Sequence, residues 1–79
     1  MENLKIRDEV AKSAKNFGVH LRELRKERQF TQQDVALKLR VPISTYANWE
    51  QGRREPSLYD LYNIMFVFKI DANILFEAD

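Results

Sequence analysis

The sequence predicts an all-α fold, a compact bundle of four or five short helices that contains a helix-turn-helix. Two observations predict it: apolar residues recur at helical spacing, and residues that cap helices precede them at intervals. No segment alternates convincingly between apolar and polar residues as a strand would. The chain of 79 residues has no cysteine for a disulfide, so packing or dimerisation must stabilise so small a domain.

Helix one is predicted by an apolar face whose members are spaced by 4, 3, 4 and 3 residues. These members are Val10, Ala14, Phe17, Leu21 and Leu24. Gly18 weakens the middle of this helix by roughly 1 kcal/mol relative to alanine, so the helix is expected to begin effectively near Asn16. The predicted domain therefore spans residues 16–79, and residues 1–15 form an N-terminal extension that can continue helix one.

Three further helices are predicted by their N-terminal caps. Thr31 with Asp34, and Ser57 with Asp60, have the spacing of a capping box, and Asp71 can cap a last short helix. Apolar residues follow each cap at helical spacing: Val35, Ala36 and Leu39; then Leu58, Leu61, Ile64, Met65 and Phe68; then Ile74, Leu75 and Phe76. The first two runs are expected to face the core.

Helix three opens unusually, on a proline. Pro42 pushes Val41 out of the helical region and is itself tolerated in the first turn of a helix, so we interpret Pro42 as a start signal. Helix two then runs from about Gln32 to Leu39, and helix three ends near Glu50. Two short helices joined by such a turn are a helix-turn-helix candidate.

The stretch FGVHLRELRKERQFTQQDVALKLRVPISTYANWEQGRREPSLYDL resembles the helix-turn-helix domain of Cro/CI-type (XRE) transcriptional regulators. The resemblance covers about residues 16–77 and rests on four segments that occur in order and at the family's spacing. These are an F-G-x-x-L-R-x-L-R opening, a T-Q-x-x-V-A second helix, a third helix ending W-E-x-G, and a P-S-L entry to the fourth.

The resemblance implies an ion pair between Arg25 on helix one and Glu50 at the end of helix three. A charge next to a buried Trp49 would be costly unless paired. The alternative is that both are ordinary surface charges. Tyr46 and Trp49 are expected in the core, and Gly52 suits a left-handed helix end.

If Tyr46 and Trp49 point inward, the outward residues of helix three are Ile43, Ser44, Ala47 and Asn48. The resemblance implies that residues 43, 44 and 48 reach base edges in the major groove. An Asn48 amide can both accept from and donate to adenine, and Ile43 can contact a thymine methyl group. The alternatives are a solvated amide for Asn48 and packing against the turn for Ile43.

Candidate phosphate ligands flank helix three, as positioning contacts require. They are Gln32, Gln33, Thr45, Arg53 and Arg54. Residues 1–54 contain 12 Lys/Arg and 7 Asp/Glu, whereas residues 55–79 contain 1 and 5. One half of the chain could therefore face a polyanion, although random surface charge would give the same count.

The chain departs from the family at three positions. Gln29 and Arg40 stand where the family often has glycine at the ends of helices one and two. A left-handed backbone at either would cost on the order of 1 kcal/mol. Pro42 replaces the family's usual serine cap. We expect these changes to affect the angle of helix three and to leave the fold intact.

A homodimer is expected because one reading helix covers only a few base pairs. Helix four is apolar most of the way round and must cover its extra face. Phe66, Ile74 and Phe76 are the predicted interface residues. The alternative is a larger monomer core that includes the N-terminal extension.

The predicted function is a sequence-specific, dimeric DNA-binding transcriptional regulator, a repressor or controller that binds a short inverted-repeat operator. The alternative is a protein-binding module, such as an antitoxin component, that retains the fold. With no Cys–His pair and no Gly-rich phosphate loop, an enzyme is not expected, nor is a cofactor, metal or small-molecule ligand. The lack of a signal peptide or of a run of about 18 apolar residues predicts a cytoplasmic protein. The resemblance implies one of bacterial or phage type, bound to nucleoid DNA.

Overall fold

A computed structural model describes residues 16–76, which form five helices and, within that range, no strand. They are α1 (16–27), α2 (Gln32–Leu39), α3 (Ile43–Glu50), α4 (Leu58–Phe68) and α5 (Ala72–Leu75). The predicted all-α bundle is confirmed. The expected N-terminal extension, with Val10 and Ala14, lies outside the described residues.

The predicted caps are all present. Asp34 N–H donates to the Thr31 hydroxyl at 3.0 Å, and Thr31 N–H donates to the Asp34 carboxylate at 2.8 Å. Ser57 and Asp60 make the same reciprocal pair at the start of α4. A carboxylate oxygen of Asp71 accepts from an amide of α5 at 3.0 Å. These bonds satisfy amides that a helix start otherwise leaves unpaired.

Three non-glycine residues end helices in the left-handed conformation. Gln29 has φ 58° and Arg40 has φ 59°, as their place at glycine positions of the family led us to expect. Lys69 at the end of α4 has φ 56°, which we did not anticipate. Gly52 also has a positive φ, of 74°, after α3. Only at Gly52 is this conformation free of a Cβ penalty.

The core lies where all five helices meet. Its buried members are Leu21, Leu24, Val35, Ala36, Leu39, Tyr46, Trp49, Ile64, Phe68 and Leu75. The prediction of Leu58 as a core residue is wrong, because its side chain is 68% exposed. A helix that is apolar most of the way round has more apolar positions than one core can bury. Periodicity alone therefore assigned too many residues of α4 to the core.

Candidate nucleic-acid interface

The turn between α2 and α3 is short and hydrogen-bonded. Arg40 N–H donates to Leu37 O at 3.2 Å, and Val41 N–H donates to Ala36 O at 3.1 Å. Pro42 is extended, with φ −60° and ψ 144°, and α3 begins at the next residue. The proline side chain has no atom that could cap α3. The start of α3 therefore depends on the turn and on packing.

One face of α3 is buried and the other is open. Tyr46 and Trp49 lie in the core, with their rings edge to face at 6.1 Å between centroids. The open face has the expected members: Ile43 and Ser44 are exposed, and Ala47 and Asn48 are half-buried. This face is the one available to a partner.

Glu50, at the end of α3, is a buried carboxylate with several hydrogen-bond donors around it. Arg25 Nε donates to Glu50 Oε2 at 2.7 Å, and Arg25 Nη2 donates to Glu50 Oε1 at 3.3 Å. The third guanidinium nitrogen, Arg25 Nη1, donates to the backbone oxygen of Phe30 at 2.8 Å. The ion pair that the resemblance implied is thus present, and it links α1 to α3.

Gln32 is part of the same network, which sequence reasoning missed. Its Nε2 donates to Glu50 Oε1 at 3.0 Å. An amide NH₂ has two protons, so one bonds the carboxylate and the other is left for a second acceptor. The expected phosphate ligand Gln32 is therefore oriented by Glu50. Contacts between helices distant in sequence leave no short spacing signal that could have revealed this bond.

Burial raises the pKa of Glu50, but hydrogen bonds, first from Arg25, outweigh it and keep that pKa below its usual value. The hydrogen bond to Glu50 raises the pKa of Arg25. The Tyr46 hydroxyl, beside this pair, has no well-oriented hydrogen-bond partner among the described residues. Burial, and next the neighbouring carboxylate, raises the pKa of Tyr46 far above its ordinary value. Glu50 is therefore ionised at neutral pH, and Tyr46 is neutral.

The remaining phosphate candidates lie around the two ends of α3. Gln33 is exposed near the start of α2, and Thr45 is half-buried on α3. Arg53 and Arg54 are exposed, and their backbone amides donate to Asn48 O at 3.0 and 3.4 Å. These two bonds fold the chain back over the end of α3. The backbone of both arginines therefore lies next to the C-terminal end of α3.

Most of the exposed large apolar residues lie on α4 and at α5. On α4, Phe66 is 83% exposed, and Leu58, Tyr59 and Tyr62 are also open to solvent. Two of the expected interface residues also make contacts within the chain. The Phe76 ring stacks on the Phe17 ring with 5.7 Å between centroids, and the backbone oxygen of Ile74 accepts a hydrogen bond from His20 Nε2 at 2.6 Å.

Comparison with known proteins gives concordant results. The helix-turn-helix family profile matches residues 21–75 of this chain. The chain is 32% identical over 63 residues to an uncharacterized HTH-type transcriptional regulator, YqaE, of Bacillus subtilis (strain 168). That alignment covers 80% of this chain and 54% of YqaE, so the chain spans about half the length of this curated relative.

A solved structure is similar over almost its whole length. It is the crystal structure of the restriction-modification controller protein C.AhdI from Aeromonas hydrophila, with a TM-score of 0.74 and 29% sequence identity. The match covers 82% of this chain and 97% of the controller protein.

None of the helices in residues 16–76 has the length and apolar character to cross a membrane.

Proposed function

The chain belongs to the helix-turn-helix family of transcriptional regulators, and we propose that it regulates transcription by sequence-specific DNA binding, as a small repressor or controller. The observation that carries this proposal is the asymmetry of α3. One face packs in the core through Tyr46 and Trp49, while the other is open. An α-helix with one open face fits the major groove of B-DNA.

Base reading is assigned to the open face. Asn48 carries an amide that can bond both N6 and N7 of adenine, and Ser44 can bond a base or a phosphate. Ile43 contributes apolar contact with a thymine methyl group, and Ala47 is small enough to let the helix approach the bases. Ile43 and Asn48 are five residues apart, so together they span more than one turn of α3.

Phosphate contacts position the protein on the duplex. Arg53 and Arg54 supply the charge, and Gln33 and Thr45 supply neutral donors. Gln32 offers its second amide proton while Glu50 accepts the first, so its orientation is set before DNA arrives. Because phosphate contacts release counterions, the affinity for any duplex should fall steeply with salt.

A homodimer would place two copies of α3 about 34 Å apart, which matches a short inverted repeat. We assign its interface to the α4–α5 surface, through Phe66, Ile74 and Phe76. Phe66 supports this most directly, because it is 83% exposed and gains most from being covered. Such a regulator works where the DNA is, in the cytoplasm.

The function is tested by selecting bound duplexes from random DNA and then measuring footprints and dissociation constants. We expect a short inverted repeat, bound at least 1,000-fold tighter than random duplex, in the range of specific regulators. Enrichment of no motif, with equal affinity for all duplexes, would remove the proposal.

Dimerisation is tested with Phe66→Asp, measured by sedimentation equilibrium and circular dichroism. The expected result is a folded monomer, because the replaced ring lies outside the core. The matched control is Leu37→Asp on α2, since Leu37 is also exposed, at 66%. Loss of the dimer in both variants, or in neither, would contradict the assigned interface.

A second candidate function is a protein-binding module, and Ile43 favours it. This apolar residue opens α3 and is 44% exposed, so it could equally be covered by a partner protein. Such a protein would be retained by its partner through α3 and would show no retention on heparin or operator DNA. Ile43→Asp would then abolish partner capture.

A further inference from the structure

Gly18 lies where the backbone of α1 meets the end of α3. A Cβ atom added at Gly18 would stand 2.5 Å from Glu50 O and 2.6 Å from Trp49 O, whereas ordinary contact begins at 3.4 Å. Only glycine allows backbones to approach so closely. The atoms in the way are backbone carbonyl oxygens, which cannot rotate aside as the end of a flexible side chain would.

Gly18 and Arg25 contact the same residue of α3. They are seven residues apart, which is two turns or roughly 10 Å along α1, so they lie on one face of that helix. Gly18 meets the backbone of Glu50, and Arg25 bonds its carboxylate. The end of α3 is thus located by two separate contacts with α1.

We propose that Gly18 is a positioning residue for base recognition, because it sets the distance between α1 and the end of α3. This inference rests on the proposed function. Asn48 lies one turn or less from both carbonyls that face Gly18. A methyl group at position 18 would have to move those carbonyls by about 1 Å, and a hydrogen bond is lost over such a shift from its usual 2.7–3.2 Å.

Helix propensity and contact geometry make opposite predictions for Gly18→Ala. Alanine favours helix over glycine, so propensity alone predicts a more stable protein with unchanged DNA binding. The close approach predicts that α3 is displaced and reads DNA poorly. A loss of DNA specificity in Gly18→Ala would favour contact geometry, and unchanged specificity would favour helix propensity.

The experiment compares Gly18→Ala with Val19→Ala, a neighbouring substitution on the exposed side of α1. Dissociation constants are measured for the selected operator and for a scrambled duplex of equal length at one salt concentration. The specificity ratio is the dissociation constant for the scrambled duplex divided by that for the operator. We expect it to fall about tenfold or more in Gly18→Ala, as the loss of one base contact would cause. In Val19→Ala the ratio should stay within twofold.

A purely structural role for Gly18 would lower the folded fraction and weaken both duplexes by one factor, so an unchanged ratio overturns the inference. If circular dichroism shows Gly18→Ala unfolded, the ratio is measured for Gly18→Ala, Val19→Ala and the wild type in a stabilising osmolyte in which the variant folds. A fall confined to Gly18→Ala supports the proposal, and no fall overturns it. If the wild type itself prefers no operator, the proposed function fails, which is a separate result.

Discussion

The two ends of α3 differ in almost every respect. At its C-terminal end, Trp49 and Glu50 are buried, and Glu50 accepts hydrogen bonds from Arg25 and Gln32. At its N-terminal end, Pro42 supplies no side-chain cap and Ile43 is exposed. By contrast, α2 and α4 both begin with full capping boxes.

This difference shows how a small domain can present a helix to a partner. The C-terminal end takes its position from contacts with α1 and α2, whose atoms are far away in sequence. At the N-terminal end, Ile43 and Ser44 are exposed and stay accessible. We therefore expect substitutions at the buried C-terminal end of α3 to reduce stability, and substitutions at and beside its open face to reduce DNA binding. Four substitutions test this.

The greatest loss of stability is expected for Glu50→Ala. This change leaves the Arg25 guanidinium without its partner, with only 11% of the Arg25 side chain exposed. Removing one partner of a buried ion pair costs about 3–5 kcal/mol of unfolding free energy. Urea unfolding followed by circular dichroism measures it. The control Glu23→Ala, at an exposed position of α1, should stay within about 0.5 kcal/mol of wild type.

The same end of α3 should be sensitive to acid. Because the folded state lowers the pKa of Glu50 below its ordinary value of 4.5, the stability from its ionised form is complete above that pH. It is lost as the pH falls through the lower, folded-state pKa. The gap in unfolding free energy between wild type and Glu50→Gln should therefore shrink below pH 4.5. A gap that stays constant from pH 7 to 3 would contradict this.

Substitutions on the open face of α3 should weaken DNA binding and leave stability almost unchanged. Asn48→Ala is expected to weaken operator binding by about 1–3 kcal/mol, since it removes one bidentate base contact. Its unfolding free energy should change little, because the side chain is only half-buried. Gln51→Ala, exposed just beyond α3, serves as the control. Equal operator affinity for Asn48→Ala and wild type would mean that another face reads the bases.

The slightest change is expected for Arg53→Gln. It should weaken operator and random duplex alike and reduce the slope of log affinity against log salt by about 1. Arg22→Gln removes the same charge from an exposed position of α1 and should leave the slope unchanged. An effect confined to the operator would make Arg53 a base-reading residue instead.

Local features of the fold could be predicted from the sequence. The capping boxes of Thr31 and Ser57 join atoms three residues apart, so spacing alone predicts both the bond and the start of the helix. The burial of Tyr46 and Trp49, which the sequence analysis expected, is confirmed. The ion pair of Arg25 and Glu50 needed the family resemblance as well, because 25 residues separate its members.

Predictions failed where the choice depended on neighbours. Leu58 shares the apolar character of Ile64, yet only Ile64 faces the core, because the direction of α4 is set by the helices that pack on it. Gly18 looked like a weak point of α1, although a glycine within an apolar helical face can also signal close backbone approach.

The sequence by itself determined where α2, α4 and α5 begin, where α3 starts after its proline, and which family the chain resembles, because these depend on short spacings and residue types. Only the tertiary structure decided that Gly18 meets the carbonyls of α3, that Gln32 bonds Glu50, and that Leu58 remains exposed. The physical reason is distance along the chain. A hydrogen bond or close contact between separate helices exists only once packing has brought them together, and no local pattern records that packing.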